Sequence, residues 1–142
     1  MSLAPGSSTP LGSWPLDGLP DAPEKLFLAL RLDYGSGAAE NELFLCAPKR
    51  CELQQPALRR SVQPSEEGFR IELAADRPAF YVHLEAPGLA GRFSDSLFTL
   101  LPDRPRSVQF LRARAHAGSP PLPDAAAFDR LLEVRHLRTS YR

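Results

Sequence analysis

Paired carboxylates, which could act together as a general acid and a general base, are poorly placed in this sequence. Glu66 and Glu67 are adjacent carboxylates between Ser65 and Gly68, where turn-forming neighbours predict a solvated loop. A hydrolase that works with two carboxyl groups needs them to face each other across the substrate. Adjacent residues in a loop do not provide that arrangement, so we expect no catalytic carboxylate pair here.

Residues that bind metals or act as nucleophiles give no site either. The histidines are far apart in sequence: His83, His116 and His136. Cys46 and Cys51 are not a C-x-x-C pair and have no second pair at zinc spacing. Their number and spacing predict that both are reduced thiols with a structural role. The alternative is a single disulfide between them. Ser61, Ser94 and Ser107 lack the context of a nucleophile elbow. We therefore expect no catalytic residue, no cofactor and no metal.

The length and the net charge of the chain exclude further classes of protein. The 142 residues suffice for one domain but not for a (β/α)₈ barrel of roughly 250 residues. Seventeen basic and seventeen acidic side chains cancel, whereas duplex-binding proteins carry a cationic excess. No apolar run approaches the roughly 20 residues of a membrane span, and the segment 1–5 does not look like a signal peptide. We expect neither nucleic acid nor a membrane as partner.

Short apolar stretches of period two recur about every ten residues, as in strands. The predicted strands cover residues 25–32, 42–46, 58–62, 69–73, 79–85, 96–101, 107–112 and 131–137. One helical turn is expected at Asp124–Phe128, capped by Asp124. This pattern predicts an all-β sandwich or barrel. The side chains expected to point inward are Leu28, Leu30, Ile71, Val82, Leu84, Phe93, Val108 and Phe110.

The domain organisation follows from a change in composition. Residues 1–24 are rich in Pro, Gly and Ser and predict a flexible linker or tail. The alternating apolar pattern begins at Lys25, so residues 25–142 are predicted to form the β-sandwich domain.

A resemblance to a known family adds to this pattern. The strand Phe80–Glu85 is followed by Gly91, Arg92, Phe93, Ser94 and Asp95. Together they resemble the C-terminal immunoglobulin-like domain of β-mannosidases in glycoside hydrolase family 2. Short segments at 42–45, 100–102 and 134–137 also resemble the corresponding strands and turns of that domain. The resemblance therefore extends from Lys25 to Tyr141. The sequence departs from the family's usual residues in three places: His83 replaces Trp, Ser96 replaces Asn, and residues 138–140 lack the Asp that is common near the end.

The resemblance implies an immunoglobulin-like antiparallel β-sandwich of seven to eight strands. It implies a non-catalytic domain whose parent enzyme hydrolyses terminal β-D-mannosyl residues and whose partners are the parent's other domains. The catalytic glutamates of that family lie on a barrel outside this chain. The chain would pack against the barrel and support it.

The Gly-Arg-Phe-Ser-Asp motif also has a physical interpretation. Gly91 could supply a positive φ in a tight turn, and Phe93 would anchor the loop in the core. Ser94 and Asp95 could accept backbone N–H groups. Arg92 could pair with Asp95 or with a neighbouring domain. We expect a structural motif rather than a substrate contact.

Three alternatives remain open at this point. The chain could be a carbohydrate-binding module in which Tyr34 and Tyr141 stack on sugars. It could be the accessory domain of a related family 2 exo-β-glucosaminidase, or an unrelated sandwich for protein–protein contact. A basic cluster predicts an exposed face of mixed charge or a docking surface: Arg104, Arg106, Arg112 and Arg114.

Overall fold

The computed structural model describes residues 6, 8–10, 12–113 and 121–141. Predictions on residues 1–5, Arg114, His116 and 118–120 lie outside the described residues. By its internal contacts the chain divides into two compact units, Met1–Glu52 and Leu53–Arg142. The assignment of residues 1–24 and 25–142 to a tail and a domain stays a prediction.

Among its described residues the first unit contains one β-hairpin. Strand β1 (Phe27–Tyr34) pairs antiparallel with β2 (Gly37–Phe44) along its whole length. Only Gly35 and Ser36 separate the strands, and Gly35 has a φ of +34°, a region that glycine tolerates best. Turns of 3₁₀-helix lie on either side, at Pro23–Lys25 and Pro48–Arg50.

The prediction that Leu28 and Leu30 point into the core of the sandwich is wrong. Leu30 is 48% exposed, and Leu28 is half-buried and outside the hydrophobic core cluster. The reason is topological, because β1 pairs with β2 in a separate two-stranded sheet. Alternation shows which residues share a face of a strand, but it does not show what covers that face.

In its described part the second unit contains seven strands, one α-helix and one 3₁₀ helix at Leu137–Ser140. The strands are β3 (Leu58–Ser65), β4 (Gly68–Ala75), β5 (Ala79–Glu85), β6 (Gly91–Phe93), β7 (Phe98–Leu100), β8 (Arg106–Arg112) and β9 (Glu133–Arg135). They form two antiparallel sheets with strand orders β3-β4-β8-β6 and β7-β5-β9. The helix α1 (Ala125–Leu131) lies between β8 and β9 in sequence. No helix in the described ranges is long and apolar enough to cross a membrane.

Side chains from both sheets form the core of this unit. Five of the predicted inward residues are buried as expected: Ile71, Val82, Leu84, Val108 and Phe110. They belong to β4, β5 and β8, where apolar side chains alternate with exposed or half-exposed ones. This period-two burial is the packing that a two-layer sandwich requires.

Helix α1 supplies the centre of an aromatic cluster. Phe128 is fully buried; its ring stacks on Phe69 at 4.1 Å between centroids and lies 5.1 Å from Phe110. The Asp124 carboxylate accepts a hydrogen bond from the backbone N–H of Ala127 at 2.7 Å, so the predicted cap is confirmed. The helix is thus a core element as well as a connection between strands.

The C-terminal end of α1 is held by an arginine on the edge strand β3. The Arg60 guanidinium donates to the carbonyl oxygens of Asp129 and Leu132 at 2.7 and 2.8 Å. It also lies 2.8 Å from the Asp129 carboxylate. The final carbonyls of a helix have no intrahelical partner, and this side chain satisfies two of them.

Candidate functional site

The Gly-Arg-Phe-Ser-Asp motif begins as a short edge strand. Gly91, Arg92 and Phe93 pair antiparallel with Arg112, Leu111 and Phe110 of β8. The expected positive φ at Gly91 is wrong; the glycine with that conformation is Gly88, at +80°, in the loop before the strand. The turn therefore lies about three residues earlier than predicted, closed by the hydrogen bond from the Leu89 N–H to the Ala86 carbonyl, and Gly91 belongs to the strand that follows.

Gly91 has a different role, which is to permit close packing. A Cβ atom at this position would collide with the Phe110 ring and lie 2.7 Å from the Leu111 carbonyl oxygen. A side chain here would force β6 away from β8, so the strand pairing itself requires glycine.

Phe93 connects the motif to the aromatic cluster. Its ring meets that of Phe110 edge-on, with centroids 5.2 Å apart and planes at 61°. Phe93 is half-buried and packs against the core without belonging to its fully buried set. It is an anchor at the rim of the core.

The expected hydrogen bonding of Ser94 and Asp95 is confirmed. The Ser94 N–H donates to the Gln109 carbonyl at 2.8 Å, and the Ser94 hydroxyl accepts from the Gln109 N–H at 2.9 Å. The hydroxyl extends the ladder beyond the last residue of β6. The Asp95 carboxylate accepts from the Ser96 N–H at 2.8 Å, which fixes the turn into β7.

The charged groups of the motif are arranged differently from the expectation. Asp95 pairs with Arg106 at 2.7 Å rather than with Arg92. The Arg106 guanidinium also lies over the Phe98 ring, 4.9 Å from its centroid. Arg92 is exposed. Arg106 therefore spans the motif and the start of β7, and Arg92 points to solvent from the edge strand.

A β-bulge distorts the neighbouring strand β5. Ala79 pairs with Leu100 and Val82 with Phe98, so two residues of β5 face one residue of β7. The second of them, Tyr81, has a φ of +53° and is 37% exposed. Leu97 has a φ of +59°, is 64% exposed, and donates its N–H to the Val82 carbonyl at 2.8 Å. Two strained residues with apolar side chains thus adjoin at the β5–β7 border.

Two of the positions that differ from the family's usual residues, His83 and Ser96, are in contact. His83 Nδ1 lies 2.8 Å from the Ser96 hydroxyl, and His83 Nε2 lies 3.2 Å from a Glu85 carboxylate oxygen. The sequence analysis missed this group because the contact depends on the register between β5 and the segment before β7.

A serine, a histidine and a carboxylate in this order resemble a nucleophilic triad. Here, however, the His83 and Glu85 side chains are each 40% exposed. Solvent at this surface screens the charges and competes for the hydrogen bonds that would activate the hydroxyl. The arrangement is a surface hydrogen-bond chain, which Arg135 extends by pairing with Glu85 at 3.2 Å and Glu133 at 2.7 Å.

A shallow depression of about 500 Å³ lies beside this surface. It is lined by Tyr81, Arg135, His136, Leu137, Thr139 and Ser140. His136 is 5% exposed, and its Nδ1 has no hydrogen-bond partner among the described residues. Burial lowers the pKa of His136, and the nearby positive charge of Arg138 lowers it further.

The lowered pKa of His136 predicts a pH-dependent stability. The unfolded chain keeps the ordinary pKa of 6.5, so below that pH the unfolded state binds more protons than the folded state. We expect the free energy of unfolding to fall as the pH decreases below 6.5. Above that pH, His136 should make no pH-dependent contribution. Urea denaturation at a series of pH values measures the slope.

One variant separates this effect from general acid destabilisation. His136→Asn should flatten the slope, because it removes the buried imidazole. If His136→Asn keeps the full slope, the acid sensitivity comes from other groups.

The remaining candidates do not join these residues into a catalytic or metal site. Glu66 and Glu67 form the exposed two-residue turn between β3 and β4. Within the described ranges, no three His, Cys, Asp or Glu residues are close enough together to hold a metal ion. Tyr34 is 54% exposed, and Tyr141 is half-buried with Arg138 beside its ring.

Comparison with known families supports the immunoglobulin-like fold. The model of the Ig_mannosidase family, an Ig-fold domain, matches residues 53–140, which is more than half of the chain. The match begins where the second compact unit begins and covers both of its sheets. A comparison with curated proteins finds no match. The all-β, immunoglobulin-like antiparallel sandwich predicted from the sequence is confirmed.

Proposed function

This chain belongs to the Ig_mannosidase family of Ig-fold domains, and on that basis we propose that it is the C-terminal accessory domain of a family 2 β-mannosidase. The membership supports an accessory, non-catalytic domain associated with mannosidase-type glycoside hydrolases. Our proposal adds the parent's identity and the role. The parent hydrolyses terminal β-D-mannosyl residues, and this domain packs against its other domains and supports the catalytic barrel.

The strained pair at the β5–β7 border carries the proposal. A left-handed conformation costs a non-glycine residue roughly 1–2 kcal/mol. Tyr81 and Leu97 both adopt it, and both side chains remain exposed. Such strain persists only where the surrounding structure enforces it, and it concentrates at functional sites. Burial of these two side chains against a partner would offset the cost of the strained backbone.

Polar groups around this pair suit a domain–domain interface. His83, Glu85 and Arg135 lie on the same sheet, and the Asp95–Arg106 ion pair lies in the adjoining segment. Apolar anchors inside a polar rim are the usual composition of interfaces between protein surfaces. We call this surface, from Tyr81 and Leu97 to Arg135, the outer β5 face.

A non-catalytic role also agrees with the chemistry of the chain. A retaining glycosidase needs carboxyl groups about 5–5.5 Å apart across a sugar pocket. The adjacent pair Glu66 and Glu67 lies in an exposed turn. The choice between a β-mannoside and a β-glucosaminide as the parent's substrate therefore belongs to the barrel, not to this chain.

The proposal can be tested by substituting asparagine for Leu97. Asparagine tolerates the left-handed conformation better than leucine does and removes the apolar side chain. In the isolated chain, Leu97→Asn should leave the melting temperature unchanged or raise it. In the full-length parent, the same change should lower the melting temperature and the soluble yield, with β-mannosidase activity lost in proportion. Thermal denaturation and a chromogenic β-mannoside measure both effects, with the isolated chain as the inactive blank.

Leu131 provides a matched control, because it is a leucine exposed to 42% at the end of α1 and is not one of the residues that define the outer β5 face. Leu131→Asn should change neither the isolated chain nor the parent appreciably. If Leu97→Asn leaves the parent's stability and activity intact, the outer β5 face does not support the enzyme.

The depression beside Tyr81 favours a second candidate, carbohydrate binding. It combines an aromatic ring with the hydroxyl groups of Thr139 and Ser140. These hydroxyls already donate to the carbonyls of His136 and Leu137 at 2.7 Å, so they would serve a sugar only as acceptors. Titration of the isolated chain with mannose oligosaccharides, comparing wild type with Tyr81→Ala, distinguishes this role from packing.

A further inference from the structure

The two cysteines of the first unit lie at the open end of its hairpin. Cys46 follows the end of β2, and Cys51 follows the 3₁₀ turn Pro48–Arg50. Both are free thiols, and their sulfur atoms are 3.3 Å apart. The expected reduced pair is thus present, but with the two sulfurs in contact.

The backbone between the cysteines holds them in this position. The Arg50 N–H donates to the Ala47 carbonyl at 2.8 Å, and the Cys51 N–H donates to the Pro48 carbonyl at 3.0 Å. These bonds fold the intervening residues into a compact turn. A disulfide needs a sulfur–sulfur distance of about 2.05 Å, so the sulfur atoms would have to approach by only roughly 1 Å.

The residue after Cys51 is attached to the beginning of the same hairpin. The Glu52 N–H donates to the Glu24 carbonyl at 2.8 Å, and the Glu52 carboxylate lies 3.6 Å from the Lys25 amine. A bond between Cys46 and Cys51 would therefore join the end of β2 to the segment that borders the start of β1.

We propose that Cys46 and Cys51 are a reversible disulfide site that closes the open end of the β1–β2 hairpin, formed by exchange with a small-molecule disulfide such as glutathione disulfide. This site is independent of the outer β5 face and of the proposed role of the domain. Its oxidation state sets how firmly the open end of the hairpin is closed.

The exchange has two steps, and Cys46 reacts first. The Cys46 thiolate attacks one sulfur of glutathione disulfide, whose S–S bond breaks and releases one glutathione thiolate. The Cys51 thiol then loses its proton to solvent, and its thiolate attacks the Cys46 sulfur and expels the second glutathione. The two cysteines lose two electrons in total, and one glutathione disulfide is reduced to two thiols.

The order follows from the surroundings of the two sulfurs. Cys51 is buried, whereas Cys46 is only half-buried. Burial raises the pKa of Cys51 to about 11, and the hydrogen bond with Cys46 contributes to the shift. The thiolate is the attacking species, so the more accessible Cys46 starts the exchange and Cys51 completes it.

To test this, the full chain is equilibrated in glutathione buffers of increasing oxidised fraction and then quenched with acid. The remaining thiols are labelled with maleimide under denaturing conditions, and the intact mass is measured. We expect two labels on the reduced chain. On the oxidised chain we expect no label and a mass lower by two hydrogen atoms, with the chain still monomeric on a non-reducing gel. The folded chain should form the bond with an equilibrium constant at least about tenfold larger than the same chain in urea, because its turn holds the thiols together.

Single variants test the order of reaction. Cys51→Ser should accumulate a mixed disulfide with glutathione on Cys46. Cys46→Ser should form a mixed disulfide between glutathione and Cys51 at least about tenfold more slowly, because the remaining Cys51 thiol is buried. The proposal is overturned if both thiols of the wild-type chain still take maleimide in the most oxidising buffer. It is equally overturned if only glutathione adducts or dimers form. Equal equilibrium constants for disulfide formation in the folded and the denatured chain would also overturn it.

Discussion

Replacing Phe128 with alanine should lower the free energy of unfolding of the chain by about 4 kcal/mol. The ring is fully buried and lies between those of Phe69 and Phe110. Its removal takes away the transfer free energy of the side chain and leaves a cavity whose walls belong to two strands of one sheet, which limits their collapse. Urea denaturation followed by circular dichroism measures the loss.

The control for this substitution is Leu131→Ala, three residues further along the same helix. Leu131 is 42% exposed, and alanine is a good helix former, so the change should be within about 0.5 kcal/mol. A loss below about 1 kcal/mol for Phe128→Ala would show that helix α1 is not part of the core.

Replacing Gly91 with alanine should cost about 3 kcal/mol, although only one methyl group is added. The new Cβ would collide with the Phe110 ring and crowd the Leu111 carbonyl. Relief of the collision requires β6 to separate from β8, which would disturb Phe93 and the two hydrogen bonds between Ser94 and Gln109. Chemical denaturation again provides the measurement.

Two comparisons isolate crowding as the cause. Gly88→Ala places a side chain at a φ of +80° with nothing within 4 Å of the new atom, so it should cost only about 1 kcal/mol, from backbone strain. In a Phe110→Leu background the penalty of Gly91→Ala should shrink, because the smaller side chain relieves part of the collision. Equal penalties at Gly88 and Gly91, with no relief by Phe110→Leu, would contradict the packing role of Gly91.

The sequence predicted the strands whose burial follows their own pattern. In β4, β5 and β8 the alternation of apolar side chains identified Ile71, Val82 and Phe110 as core residues, and all three are buried. A strand in the middle of a two-layer sandwich must bury one face, so local pattern and tertiary structure agree there. The cap at Asp124 was predictable for a similar reason, since it depends on residues three positions apart.

Features that depend on the pairing of distant segments were not predictable in this way. The three residues of β6 are too few to show a period, and they form a strand only because β8 lies beside them. The bulge at Tyr81 arises from a register mismatch with β7 that the sequence of β5 alone does not contain. Leu30 has a convincing alternation, but its strand pairs in a separate sheet.

The candidate site divides along the same line. The hydrogen bond from the Ser96 N–H to the Asp95 carboxylate follows from adjacent residues of the motif. The apolar character of Phe93 predicted an anchor, although its partner Phe110 lies on β8. The pairing of Asp95 with Arg106 and the contact of His83 with Ser96 depend on which residues the sheets bring together. Residue types in one stretch of chain indicate what each group can do, but the register decides what it meets.

The position of Phe128 in the sequence has a consequence for the order of folding. The aromatic cluster contains Phe69 and Phe110, but the ring between them comes from a segment that follows β8, and β9 then completes the second sheet. Arg60, near the start of the unit, is likewise satisfied only when α1 arrives. The entropy of closing these long loops opposes folding before the contacts exist to offset it. During synthesis on a ribosome, the eight strands β1 to β8 would emerge before α1 and β9. The core of the second unit would stay incomplete until the helix and β9 followed.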